Sequence, residues 1–276
     1  MKRSERLVDM TSYLMARPHT LIALPFFAER YDVAKSSISE DLAIVKHTLA
    51  KHKNGILETV AGASGGVRYI PFVGRKIAND VLVNLSKKID DSHRILPGGF
   101  VYLSDILGNP QTLRQIGELI ATSFAFEEID AVMTVETKGI PLAAAVSEFL
   151  NVPFVIVRRK AKITEGSTIS VNYVASSSKR IEKMELAKRS LQPNSRVLIV
   201  DDFMKGGGTL TGMTELVKEF DCEVAGMAVL CETRSTEQKV IKDYLSLIDI
   251  EEVNVEQKMI KVHPGNFLMK TDWEVF

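Results

Sequence analysis

Residues 197–209, Val-Leu-Ile-Val-Asp-Asp-Phe-Met-Lys-Gly-Gly-Gly-Thr, run from four apolar residues through an acid pair to a glycine triplet and a threonine. An unbroken apolar run of this length marks a short strand buried on both faces of a parallel sheet. Asp201 and Asp202 then fall at its C-terminal end, where open α/β sheets bind their ligands. Gly206, Gly207 and Gly208 let the backbone turn and approach an anion, so that N–H groups opening the next helix cradle a phosphate. Thr209 caps that helix and adds a hydroxyl donor. Two carboxylates repel a phosphate placed on them but accept hydrogen bonds from ribose hydroxyls one sugar away. The ligand implied by these residues is a ribose 5-phosphate.

Two other phosphate loops fit less well. A Walker A loop needs Lys and then Ser or Thr after its last glycine, and here Lys205 precedes the glycines. No G-x-G-x-x-G dinucleotide fingerprint is present either.

A chain of 276 residues, 45% apolar and 25% charged, accommodates one large domain or two unequal ones. Its net charge is zero, so any contact with nucleic acid or membrane must be local. No apolar run approaches the roughly 20 residues that span a bilayer, and MKRSERLVDM lacks the apolar centre of a signal peptide. A cytoplasmic protein without membrane contact is the expectation. Cys222 and Cys231 have no metal-ligand spacing and read as buried thiols. The lone histidines 19, 47 and 52 read as surface or loop residues, and no metal site is expected.

Residues 1–73 read as a small helical domain. Leu7, Val8, Met10, Tyr13, Leu14 and Met15 recur at helical spacing up to Arg17-Pro18. A second helix starts at Pro25 and runs to Tyr31. A third carries Ile38, Leu42, Val45 and Leu49 on its apolar face and exposes Lys35, Ser36, Ser37 and Ser39 in its first turns. That spacing fits a helix-turn-helix, whose second helix meets base edges and phosphates. The runs 56–60 and 67–70, joined by AGASGG, form a β-hairpin, which completes a winged helix. Arg68 on the wing reaches DNA in this reading, as do Lys2 and Arg3 at the start of the chain. The segment holds ten Lys/Arg and seven Asp/Glu, modest support for double-stranded DNA as partner. A three-helix docking or dimerisation domain is the alternative.

Residues 74–276 read as one α/β domain, with 74–89 as the joint. ILPGGFVYLSDIL at 95–107 gives a turn, a strand and a polar exit. A helix from Pro110 to Phe126, a strand at 129–135, a helix at 141–150 and a strand at 152–157 follow, the βαβ order of a parallel sheet. Thr137, Lys138 and Gly139 lie in the loop after the first of these strands, so that loop and the Asp201 loop open on one crevice. Arg158, Arg159 and Lys160 read equally as ligand-binding cations or as a solvated strand exit. Residues 158–196 hold ten Lys/Arg against three Glu, and within them 164–178 reads as a mobile polar loop. The last 45 residues complete either the subunit or a dimer contact.

The 197–209 stretch resembles the 5-phosphoribosyl-1-pyrophosphate (PRPP) motif of the type I phosphoribosyltransferases, with Gly206 where that family usually has Thr. Glu-Thr-Lys-Gly at 136–139, VRRKAK at 157–162 and PGGFVYLSDI at 97–106 are similar to the adenine and xanthine branch. That resemblance implies a pyrophosphate held by Thr137, Lys138 and Gly139 with Arg158 and Lys160, a base near Tyr102 and Phe203, and a closing loop over PRPP. The ligand set it implies in the motif itself is Asp201, Asp202, Phe203, Met204, Lys205, Gly206, Gly207, Gly208 and Thr209, with Mg²⁺ as an optional companion.

The fusion of a winged helix to such a domain, together with MKRSERLVDMTSYL at the start, resembles the purine operon repressors of Gram-positive bacteria. That likeness implies a homodimer that binds operator DNA and treats PRPP as a signal for release. An adenine or xanthine phosphoribosyltransferase with a fused regulatory domain is the second reading. Whether pyrophosphate-bearing guanine nucleotides share the crevice, the residues leave open.

Overall fold

The computed structural model describes residues 1–62, 64–160, 162–175, 180–233 and 239–274. Three helices open the chain: α1 (Arg3–Met15), α2 (Leu24–Tyr31) and α3 (Lys35–His52). The antiparallel hairpin of β1 (Asn54–Val60) and β2 (Gly66–Val73) follows as the wing, and Ala63 of its tip lies outside the described residues. Met10, Leu14, Phe27, Ile38, Leu42 and Leu57 are buried in one core shared by the helices and the wing. Asp41, fully buried on α3, binds Arg6 and Arg3 of α1, at 2.8 Å for Arg3 Nε, and fixes how the third helix is presented.

Helix α4 (Arg75–Ile89) is more than a joint. Ala78, Leu82, Leu85 and Ile89 are buried in the core of the larger domain. The segment 95–107 differs from its sequence reading. It forms two-residue strands β3 (Ile95–Leu96) and β4 (Phe100–Val101) and the short helix α5 (Ser104–Gly108), and none of these joins the main sheet. Pro97 and the adjacent Gly98 and Gly99, both at positive φ, turn the chain too tightly for a longer strand.

Helix α6 (Pro110–Ser123), β5 (Ala131–Val135), α7 (Gly139–Leu150) and β6 (Phe154–Val157) form the expected βαβ unit. Next come β7 (Thr168–Val174), β8 (Ile181–Ala187), β9 (Arg196–Met204), α8 (Gly208–Glu219), β10 (Glu223–Thr233), β11 (Leu245–Asn254), β12 (Met259–Pro264) and α9 (Phe267–Lys270). The six-stranded sheet runs β12-β11-β10-β9-β5-β6, parallel except at the β12 edge. β9 is central and Val197 to Val200 are all fully buried. Leu198 and Val200 face one core and Val197 and Ile199 the other, the period-two alternation of a strand covered on both faces.

The described part of the expected loop, residues 164–175, is also more ordered than its composition suggests. β7 and β8 pair in register from Thr168↔Ala187 to Val174↔Ile181, and Arg158 and Glu185 exchange two backbone hydrogen bonds that tie the hairpin to the end of β6. Residues 176–178, the end of the expected loop, lie outside the described residues.

The C-terminal segment completes the subunit. Trp273 packs edge-on against Phe267 and against Phe72 of the wing's second strand, and Val73 N donates to Thr122 Oγ1 at 3.1 Å. These contacts form an apolar seam between the small and large domains.

Candidate functional site

The centre of the site follows from where β9 stops. Asp201 and Asp202 lie at its C-terminal end, and the chain turns through Gly207, whose φ of +89° favours glycine, into α8. The first turn of α8 thereby points its N–H groups toward the end of the sheet. Asp201 is 4% exposed, and its Oδ1 accepts from Asp202 N at 2.9 Å. Burial, and next the neighbouring Asp202 charge, push the Asp201 carboxyl well above the usual carboxylate range. Burial raises Asp202 too, opposed by the Asp201 hydrogen bond and the Lys138 charge. Two carboxyls held against their own desolvation are ready acceptors for hydroxyl donors.

The loop expected to face them does so. A Cβ on Gly139 would lie 2.0 Å from Thr134 Oγ1 and 3.4 Å from Asp201 Oδ1, so only glycine lets this loop close over the strand end. Thr137 and Lys138 are exposed beside it.

A cavity of about 460 Å³ opens beside Asp201 and the start of α8; Asp202, Thr137, Lys138 and Gly139, which the sequence reading also placed at the ligand, do not line it. Asp201, Phe203, Met204, Lys205, Gly206, Gly207, Gly208 and Thr209 line it as the sequence suggests. Tyr102 does not; Phe100, two residues earlier and 64% exposed, takes the aromatic place. Ile250, Glu251, Glu252 and Val253 of β11 form the facing wall, which no motif signalled.

The basic residues after β6 also divide differently. Arg158 is engaged on both sides, by Glu136 at 3.1 Å and Glu165 at 2.8 Å, and stands outside the cavity wall. Lys160 is exposed and likewise outside. Arg159 lines the cavity, where its Nη1 donates to Glu182 Oε2 at 3.0 Å. Within the described residues, the dense positive charge of 158–196 does not make a basic crevice. Among the described residues, Arg159 and Lys205 share the wall with Asp201, Glu182, Glu251 and Glu252. Glu251 is paired with His263 and Glu252 with Lys261. No group of three or more His, Cys, Asp or Glu among the described residues is arranged to hold a metal ion.

On the small domain, Lys35, Ser36 and Ser39 are exposed and Ser37 half-buried at the start of α3. Arg68 is paired with Glu58 across the wing, and Arg3 with Asp41 and Glu40, so both are partly committed to protein contacts. Lys2 caps α1 and is exposed. Cys222 and Cys231 are free and buried. No helix is long and apolar enough to cross a membrane among the described residues.

Two family models match separate parts of the chain. Residues 2–71 match the model of the bacterial purine repressor N-terminal domain, and residues 103–262 that of the phosphoribosyl transferase domain. An adenine phosphoribosyltransferase of Thermoanaerobacter pseudethanolicus covers 60% of this chain and 99% of its own with a TM-score of 0.52; at 22% identity it shows the fold alone. Fold and site thus define a DNA-binding regulator built on a phosphoribosyltransferase domain.

A "Purine biosynthesis transcriptional repressor PurR" of Bacillus subtilis is 53% identical over 97% of this chain and 94% of its own. A "Purine biosynthesis transcriptional activator PurR" of Lactococcus lactis subsp. lactis is 47% identical over 96% and 98%. The chain belongs to the PurR family of purine biosynthesis transcriptional regulators.

Proposed function

We propose that this regulator represses purine biosynthesis genes and senses PRPP, which binds the phosphoribosyltransferase domain and releases operator DNA. The observation that carries the reading is the cavity in which the buried Asp201 carboxyl faces the same space as the glycine-turned start of α8, with the half-buried Asp202 next to it in the chain. The 5-phosphate would sit on the N–H groups of Gly206 to Thr209 and the ribose hydroxyls on the two carboxyls. The pyrophosphate would lie toward Lys138, Lys205 and Arg159. Any Mg²⁺ would arrive with the pyrophosphate. Pyrophosphate-bearing guanine nucleotides carry the same anionic group and would compete there.

Repression is the sign chosen because the 53% identical relative is named a repressor, while the 47% identical one is named an activator. Two winged helices in a homodimer would read a two-fold site. PRPP carries about five negative charges. If it binds the DNA-free state better, linkage requires that it weaken DNA binding by the same free energy, typically about 1–3 kcal/mol.

Phosphoribosyl transfer is the second reading, favoured by the intact cavity. It is ranked lower because Arg158, aligned with a pyrophosphate ligand by resemblance, is held by two glutamates. A gel-shift titration of operator DNA with PRPP, run beside an assay of labelled PRPP with each purine base, separates the two. Release without turnover supports the sensor. Turnover of a base at about 1 per second or faster reverses the ranking.

A further inference from the structure

We infer that Glu182 is a built-in anion that occupies Arg159 at the cavity wall and must be displaced by a phosphorylated ligand, so that Glu182 sets the affinity of the site. The inference rests on the proposed reading of this cavity as the effector site. Arg159, Glu182 and Tyr173 all line it. Glu182 Oε2 accepts from Arg159 Nη1 at 3.0 Å and from Tyr173 Oη at 2.8 Å.

Geometry makes Glu182 a fixed competitor. Tyr173 is 6% exposed, and burial raises its phenol to about 12, so it remains a proton donor near neutrality. Its ring sits against α8 where a Cβ on Gly212 would lie 2.9 Å from Tyr173 Cγ and 2.7 Å from Met184 Cε. The β7–β8 hairpin is thus seated on the helix whose first turn forms the glycine loop, and it presents one carboxylate to the cavity's arginine. Of the other acids of the wall, Glu252 is paired with Lys261 and Glu251 with His263 on β12, and Asp201 accepts from the Asp202 backbone N–H.

The pair is also weak enough to exchange. The Arg159 side chain is 54% exposed and that of Glu182 is 29% exposed. A half-exposed ion pair of this kind contributes little, and a pyrophosphate brings more charge and more acceptors to the same guanidinium. Ligand entry then exchanges one anion for another at Arg159, and frees Glu182 from the β6 exit.

Calorimetry of the full-length protein with inorganic pyrophosphate tests the exchange, because this probe needs no ribose site. Glu182→Gln keeps the Tyr173 hydrogen bond and should bind pyrophosphate about 2- to 5-fold more tightly than wild type, the range a half-exposed pair allows. The gain should vanish when Arg159→Ala is added. Tyr173→Phe keeps the Glu182 charge but loosens it, and should shift affinity in the same direction by a smaller factor. If Glu182→Gln lowers the melting midpoint, Tyr173→Phe decides alone. Equal or weaker pyrophosphate binding in the deciding variant overturns the inference. A parallel PRPP titration of the wild type keeps the two claims apart: no PRPP uptake, with the pyrophosphate gain present, removes the proposed effector and leaves the exchange standing.

Discussion

Asp201 is a carboxyl placed where a carboxyl is costly. It is almost fully buried, its pKa is raised by burial and by Asp202, and its Oδ1 accepts from the next residue's backbone N–H. A raised carboxyl binds its proton more tightly folded than unfolded. Its unfavourable effect on stability is therefore absent at acid pH and grows as pH rises from the ordinary carboxylate range through the folded value. Asp201→Asn removes that cost. It should raise the melting midpoint near pH 7 by a few degrees, on the order of 1 kcal/mol or more in a chain of this size, and the gain should shrink toward pH 4. The same variant should lose PRPP uptake while keeping operator affinity, the exchange of stability for function typical of binding sites. A lower midpoint at neutral pH, or undiminished uptake, contradicts this placement of the ribose.

Lys35, exposed at the start of α3, belongs to the same scale. Lys35→Ala should weaken operator binding and flatten the slope of log affinity against log salt by about one, read by fluorescence anisotropy at several salt concentrations. An unchanged slope places the DNA face elsewhere.

Among the elements, α1 and α3 are joined by a buried clasp in which Asp41 receives Arg6 and Arg3. Burial pushes Asp41 up, yet the hydrogen bonds from Arg6 and Arg3 bring it below its ordinary value. Asp41→Ala leaves Arg6 buried without its anion and should cost about 3–5 kcal/mol by urea unfolding, with DNA binding lost as α3 shifts. A cost below about 1 kcal/mol would mean the clasp orients nothing.

How much of these elements the sequence disclosed depends on how far each signal reaches along the chain. The buried run 197–200, the glycine turn and the three apolar helix faces are local patterns, and β9, α8 and α1–α3 follow them closely. Phe100 rather than Tyr102, Arg159 rather than Arg158, and the β11 wall depend on which side of a turn or strand end faces the cavity. Composition misled for 164–175 as well, since polar residues there are held by cross-strand pairing and by Tyr173 on α8. Polarity reports solvent on one face, not absence of structure on both.

At the scale of the whole molecule, the seam between domains is where occupancy of the cavity would reach the DNA-binding head. Phe72 of β2 packs on Phe126 and Trp273, and Ile70, Phe72 and Ala125 form a small core of their own. Neither half shows this in its own sequence, because Trp273 and Phe72 are distant in the chain. Trp273→Ala should leave PRPP binding within about twofold and reduce the coupling between PRPP and operator DNA by about 0.5–2 kcal/mol, measured as the ratio of operator affinities with and without PRPP. Unaltered coupling would move the transmitting contact elsewhere.

The most direct measurement is calorimetric titration of the full-length regulator with PRPP, once alone and once saturated with operator DNA. Uptake by the free protein, weakened in the DNA complex by the same factor by which PRPP weakens operator binding, is the expected result. No uptake by the free protein, or equal uptake in both, would contradict a PRPP-sensing repressor.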